Sequence, residues 1–437
     1  MEWLYMFKKK IWMQMRSSFW FEPAIYGLNA LLAVWLCTLA DGMVIKHFKT
    51  AIPRILLTNP DVAKELYSAL ATATLTMTTI SFSTIMVVLT TYSTQFSPRT
   101  LQDFMRSKIT HQILGMYTFV FVFALMNLLL VGNTNQIVRP TAMVITAIMG
   151  LAFFIYFIHY TSRHIQVNQL IHMIHKDGTR IVKETYSEKT YVETGTWPQA
   201  EIESIYKRKC AVLYAKQSGY LQDVDWKGLF VYADKAGIIL DVQIQAGSFL
   251  VEGEVLTNVY SREEISPERL KALHEYFAVG AERSDLQDIA FSIEKLAEIA
   301  MRAISPAVND PHTAINCINR IGAMLVTIGR EIKNMHYLAN DAGELRIIRP
   351  MMPFEDYLYK GFYQLKHYGK KDVSVLYSLF TILGKVASVS GDTVKQKIWA
   401  FHFEILAVFD WETLTKQDFA HLYSAYQRLV SICRHNA

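Results

Sequence analysis

Residues 69–91 read ALATATLTMTTISFSTIMVVLTT, a stretch without one charged side chain. A helix on the surface of a soluble domain would carry Lys, Glu or Arg along one face. Here the only polar groups are threonine and serine hydroxyls. Rising 1.5 Å per residue, a helix of this length crosses ~30 Å of hydrocarbon. Lipid offers backbone groups no hydrogen-bond partner, so helix is the form such a run takes. The run extends to about Leu66–Thr94, and three others resemble it, at Pro23–Ile45, Ile113–Val131 and Thr141–Tyr160.

The first run follows Lys8, Lys9, Lys10 and Arg16, with Thr38 and Ala40 as small residues late in it. It is longer than the apolar core of a signal peptide and further spans follow, so it reads as a span. Lipid attachment at Cys37 fails because Trp35 and Leu36 occupy positions that need small residues. Orientation follows from Lys and Arg: the N-terminal cluster, then Arg99, Arg106 and Lys108, then Arg163, Lys176, Arg180 and Lys183 share one side. The other side has Lys46, Lys49, Arg54, Lys64 and Arg139. Positive charge stays inside, which places both termini in the cytoplasm of a bacterial inner membrane.

Composition agrees. Of 437 residues, 51% are apolar and only 19% charged, which excludes a disordered or collagen-like chain. The apolar residues concentrate before about residue 160. A net charge of +5 is too mild to argue for nucleic acid. Cys37, Cys210, Cys317 and Cys433 are scattered, with neither zinc spacing nor a disulfide framework.

After the fourth run the helix is expected to continue through HYTSRHIQVNQLIHMIHK and to break at Gly178. Between Ser218 and Tyr260 the period changes. Leu240, Val242 and Ile244 alternate with Asp241, Gln243 and Gln245, the pattern of a half-buried strand, and Gly247 and Gly253 mark turns. Helical spacing returns in RLKALHEYFAV, DLQDIAFSIEKLAEIAMRAI and HTAINCINRIGAMLVTIGREI, with two or three more helices to Ala437. The expected fold class is therefore four membrane helices, then a mixed α+β soluble part: a small β-rich, barrel-sandwich-like module followed by helices. The expected divisions are 1–20, 21–162 for the spans, 163–210 as a helical connection, 211–262 for the β-rich module and 263–437 for the helical domain.

Six segments, SSFWFEPA (17–24), TQFSPRTLQDFM (94–105), YFIHY (156–160), SGYLQDVD (218–225), GSFLVEGEVL (247–256) and ISPAVNDPHTAINCINRIGAML (304–325), carry a resemblance. In that order they are similar to a bacterial family of predicted membrane proteins catalogued as a domain of unknown function. The resemblance implies four spans and a large soluble C-terminal region, and no activity.

The densest motif is Ser305, Pro306, Asn309, Asp310, Pro311, His312 and Thr313. Asp310 is placed to cap a helix that Pro311 opens, since a proline at the first helical position loses no hydrogen bond. The structural reading is a rigid, buried joint between helices; the functional one uses Asn309, Asp310 and His312 to bind a ligand or ion. Ala233-Asp234-Lys235-Ala236 resembles the lysine turn of lipoyl carriers, but the glycine-spaced strand follows it instead of preceding it, so Lys235 is expected unmodified. His164, His172 and His175 lack an acidic or thiol partner for a metal site, and a solvated helix is expected there. Ser97, Pro98 and Arg99 read as an interfacial anchor, Ser97 capping the helix that Pro98 opens and Arg99 meeting lipid phosphate or a carboxylate.

There is no GxxxxGK[ST], GxSxG or HExxH, which removes P-loop motors and the common hydrolases. No cofactor, metal site or catalytic residue is expected. Span interiors hold essentially no charge, which disfavours ion-coupled carriers. In the second run Thr72, Thr76, Thr79, Ser83, Thr90 and Thr94 share one helical face. Such a stripe is glue between helices or the lining of a pore at the axis of an oligomer. The expected function is thus a passive, channel-like homo-oligomer in the lipid bilayer with a cytoplasmic regulatory domain. The alternative is a membrane-anchored scaffold or sensor whose soluble part binds a partner or small ligand.

Overall fold

Each apolar run forms one long helix in the computed structural model: α1 (Phe21–Phe48), α2 (Pro60–Gln95), α3 (Lys108–Leu129) and α4 (Val138–His164). The structure describes residues 20–48, 58–95, 99, 108–132, 138–164, 166–186, 192–194, 196–331, 336–408 and 414–434. The chain divides after Gln166 into two compact units.

In the first unit α3 is the central helix and touches α1, α2 and α4. Half of its apolar window is buried, against 11–22% for the other three. Ala30, Val34, Tyr67, Met116, Phe123 and Met143 form the core between them. The outer faces expose Leu32, Trp35, Met86, Ile148 and Ile155. That apolar surface is far larger than water tolerates on a monomer and is what a lipid-facing bundle presents. All four helices are long and apolar enough to cross a membrane.

The second unit begins with α5 (Val167–Tyr186). Gly178 lies inside this helix and does not end it. A Cβ at Gly178 would sit 2.5 Å from Met324 Cε and 2.8 Å from Ser292 Cβ, so the glycine serves close helix packing. Leu170, Ile171, Ile174, Ile181 and Val182 line the same buried side. The break falls before Val167, around the non-helical Gln166.

Then follow β1 (Val192–Thr194), α6 (Gln199–Tyr206), β2 (Lys209–Tyr214), β3 (Gly219–Val224) and α7 (Trp226–Ala236). Next come β4 (Ile239–Val242), β5 (Phe249–Leu250), β6 (Val255–Ser261), α8 (Pro267–Ala272) and a short 3-10 turn into β7 (Phe277–Gly280). The alternation at Leu240 and Val242 does form a strand, with both side chains buried. Phe277–Gly280, expected as helix, is instead a strand paired with β3, because its apolar residues meet the exposed edge of that strand. Helices α9 (Ile289–Ala303) and α10 (Pro311–Glu331) match the expected runs. After β8 (Tyr337–Ala339) and β9 (Leu345–Ile348) come four helices where two or three were expected: α11 (Phe354–Tyr368), α12 (Val373–Ser388), α13 (Asp392–Val408) and α14 (Lys416–Arg434).

Among the described residues one sheet runs β1-β8-β9-β4-β6-β2 and another β5-β3-β7. All pairs are antiparallel except β4 with β9, where Leu240 faces Ile347. Helix α7 adds Leu229, Phe230 and Ala233 to the strand core that holds Leu221, Leu240 and Val259. Asp225 caps it by accepting from Gly228 N at 2.9 Å. The helices α9 to α14 bury a second, larger set that includes Ile293, Leu296, Ile321, Leu358 and Leu379.

Candidate functional site

The hydroxyl residues of α2 occupy one side of it. At 3.6 residues per turn, Thr72, Thr76, Thr79, Ser83 and Thr90 lie within roughly 60° of arc. All five are exposed. Ala63, Tyr67, Thr74, Ser81, Ile85, Val88 and Tyr92 are the buried residues of the same helix, centred about 180° away. The hydroxyl line therefore points directly away from the other three helices. Among the described residues of one chain it is neither glue nor lining. Thr72, Thr76, Thr79 and Thr90 each donate to the carbonyl four residues back, at 3.0, 3.0, 3.0 and 2.8 Å. Each hydroxyl keeps acceptor capacity towards whatever faces it.

Asp41 and Arg139, at the ends of α1 and α4, form a buried ion pair. Arg139 Nε donates to Asp41 Oδ2 at 2.9 Å and Val138 N to Asp41 Oδ1 at 2.6 Å. Arg139 Nη1 also donates to Leu130 O at 3.2 Å, so the arginine ties the end of α3 to the other two helices. Sequence reasoning counted Arg139 among the loop charges and did not pair it with Asp41. The available signal was one acid and one arginine assigned to the same side of the membrane by span order.

The motif at 305–313 is a turn between α9 and α10. Asp310 caps α10 as expected: Oδ1 accepts from Thr313 N at 3.1 Å and Oδ2 from Thr313 Oγ1 at 2.6 Å. These two bonds, the hydroxyl one first, hold the carboxyl below its usual range. Asp310 N donates to Ala303 O, and Val308 N and Asn309 N to Ser305 O. Asn309 takes a φ of 50°, which its short polar side chain tolerates better than a bulky one. Pro311 opens the helix. The joint is not buried, however. Pro306, Asn309 and His312 are exposed, and Ser305, Asp310, Pro311 and Thr313 are half-buried. Both oxygens of the Asp310 carboxylate are thus engaged in the cap.

His175 is pushed below its usual range by burial, then by Arg320 and His172. No group of three metal-ligating side chains occurs among the described residues. Lys235 lies in the last turn of α7, not in a hairpin. Arg99 is exposed, while Ser97 and Pro98 lie outside the described residues.

A further constellation, which no motif announced, sits where α9 begins. Arg283 binds Asp288 Oδ2 through Nη2 at 2.6 Å and Glu294 Oε2 through Nη1 at 2.6 Å. Lys360 reaches Glu294 Oε1 at 2.7 Å. Burial opposes ionisation of Glu294, but bonds from Lys360 and Arg283 outweigh it and the carboxyl lies below its usual range. Lys295, only 2% exposed, binds Asp285 Oδ2 at 2.7 Å. Asp288 also caps α9 through Phe291 N at 3.0 Å. Gly247, at φ 89°, lets the preceding loop pass over that carboxylate: a Cβ there would lie 1.9 Å from Asp288 Oδ2. Beside this network is a cavity of about 60 Å³, whose wall includes Trp226, Gln245, Asp288, Arg349, Met352 and Tyr357. Arg349 is 3% exposed, and its guanidinium carbon lies 5.4 Å from the centroid of the Trp226 ring.

A family model described as "Predicted membrane protein (DUF2254)" matches residues 16–385. Uncharacterized proteins of Mycobacterium tuberculosis, from two strains, and of Mycobacterium bovis are 28% identical over 346 residues. The alignment covers 75% of this chain and 64% of each relative, so the chain spans less than two thirds of the curated relatives it matches. No solved structure matches it.

Proposed function

The chain belongs to the DUF2254 family of predicted membrane proteins, and on that premise we propose that it is a bacterial inner-membrane protein whose copies form a passive, channel-like homo-oligomer. The residues from Val167 onward are its cytoplasmic regulatory part. One observation carries the reading: the hydroxyl line of α2 stands opposite the helix's buried side. Four spans are too few to enclose a wide path of their own. A polar line turned outward meets either lipid or another copy. Lipid gains nothing from hydroxyls, whereas a second copy gains close packing and, at a symmetry axis, a narrow uncharged lining. Lys and Arg distribution sets the orientation.

The test is conductance across bilayers reconstituted with Thr79→Trp and Ser83→Trp. A pore loses conductance while cross-linked oligomers persist. A wild type that never conducts, or substitutions that only disperse the oligomer, would refute the pore. A periplasm-active reporter fused after Ala437 stays silent in the proposed orientation. The second reading, a membrane-anchored scaffold or sensor, is favoured by the cavity beside Arg349.

A further inference from the structure

We infer that the cavity at the start of α9 is a binding site for a small oxyanion, a carboxylate or phosphate of a few heavy atoms. The inference rests on the soluble unit alone and deepens the sensor reading. It does not require that the spans conduct.

The chemistry of the wall points to an anion. Arg349 comes from the segment after β9 and is buried against the face of Trp226. Its guanidinium carbon lies 5.4 Å from the Trp226 ring centroid, and its five donors let it grip an oxyanion alongside any protein acceptor it already has. The wall's carboxylate, Asp288, does not compete. Its Oδ2 is bound by Arg283 at 2.6 and 2.9 Å and its Oδ1 by Phe291 N, so its charge is matched before a ligand arrives. Ile289 and Ala290, also in the wall, belong to the first turn of α9, the positive end of a helix of 15 residues. Gln245 and Gln287 supply amides. Gln287 is fixed in place, donating to Val224 O at 2.8 Å and accepting from Val224 N at 3.1 Å.

Size narrows the class. A volume of about 60 Å³ holds roughly four waters on the scale where one needs 10–15 Å³. That suits a phosphate or a short carboxylate and excludes a nucleotide. The aliphatic and thioether part of the wall, Ala246, Pro350, Met351 and Met352, lowers the local dielectric and strengthens a guanidinium–oxyanion bond.

The experiment is calorimetric titration of the detergent-solubilised full chain with inorganic phosphate and, separately, with malonate, at constant ionic strength. Thermal unfolding is followed in parallel. Saturable heat with one site per chain is expected for at least one probe, together with a saturating rise in the unfolding midpoint. Gln245→Glu, at a half-buried loop position, places a fixed negative charge in the wall and should weaken binding roughly tenfold or more. Arg349→Lys should weaken it as well, by removing the planar fork. No saturable heat with either probe in the wild type overturns the proposal, whatever the variants do. A rise in midpoint that never saturates and is equal in wild type and Gln245→Glu is salt exclusion from the surface, and also overturns it. Because no transport is measured, a failed pore leaves this result intact, and the reverse holds too.

Discussion

Removing the Asp41 carboxylate while keeping Arg139 should destabilise the membrane unit more than removing both. The pair is buried, with side chains 6% and 9% exposed, and its closest contact is 2.9 Å. At that distance the attraction is about 6 kcal/mol for an effective dielectric of 20, before any desolvation is subtracted. Desolvation takes back much of this, so the intact pair contributes little net stability. The broken pair leaves a guanidinium among apolar helices. Asp41→Leu or Arg139→Leu alone should therefore cost about 3–5 kcal/mol. The double variant also loses the Val138 N and Leu130 O contacts, worth about 1 kcal/mol each. It should still be more stable than either single variant. Asp41→Asn keeps an acceptor for Val138 N and should fall between wild type and Asp41→Leu. The assay is unfolding of the purified protein in mixed micelles, monitored by Trp fluorescence, over the full double-mutant cycle. If the two single losses simply add in the double variant, the charges are not coupled and the reasoning is wrong. Unfolding of Asp41→Leu at the wild-type midpoint would refute it equally.

Three further outcomes are expected. His274 is pushed down to about 4 by burial, with Lys216 adding to the effect. An unfolded imidazole titrates near 6.5, so between about pH 6.5 and 4 the unfolded chain binds a proton that the folded chain lacks. Stability of the C-terminal unit should fall as pH drops across that window, and His274→Gln should flatten the fall; an unchanged profile would count against it. Asp310→Ala should lower stability by roughly 0.5–2 kcal/mol through loss of the α10 cap, measured by urea unfolding, and a variant as stable as wild type would place Asp310 outside the capping role. Cys210 is exposed whereas Cys317 is buried with its thiol pushed up by that burial. A maleimide at pH 8 should label Cys210 in the native protein and Cys317 only after unfolding, as read by peptide mass.

How much was legible in the sequence differs by layer. The spans were, because hydrocarbon forces long charge-free runs that no local ambiguity can hide. The strand at Leu240 and Val242 was too, since alternation beside Gly247 leaves no helical reading. Besides Phe277–Gly280, which read as helix, three strands were missed. Val192–Thr194, Tyr337–Ala339 and Leu345–Ile348 are each four residues or fewer and gain their partners from distant segments. Gly178 misled because a glycine that ends a helix and a glycine that admits a neighbour have the same sequence. The motif at 305–313 gave its cap correctly but not its exposure, since a proline-bracketed turn looks alike on the surface and in the interior. The charge network escaped altogether. Nothing in the spacing of Asp288 and Glu294 marks them as an ion-pair network, because only the fold brings Arg283 and Lys360 to them.

The order of strands in the larger sheet also bears on how the chain is made. Strand β4 is bordered on one side by β6, which leaves the ribosome soon after it. On the other side it waits for β9, because Leu240 pairs with Ile347. At 5–20 residues per second the ribosome needs roughly 5–20 s to synthesise the intervening chain. Over that interval β4 presents an open backbone edge beside an unfinished apolar face, the kind of surface that recruits other chains or chaperones. Nascent chains cut short before Leu345 never close that edge. For this protein, the vulnerable moment in synthesis falls after the spans have been made, while the middle of the C-terminal unit is still waiting for its last strands.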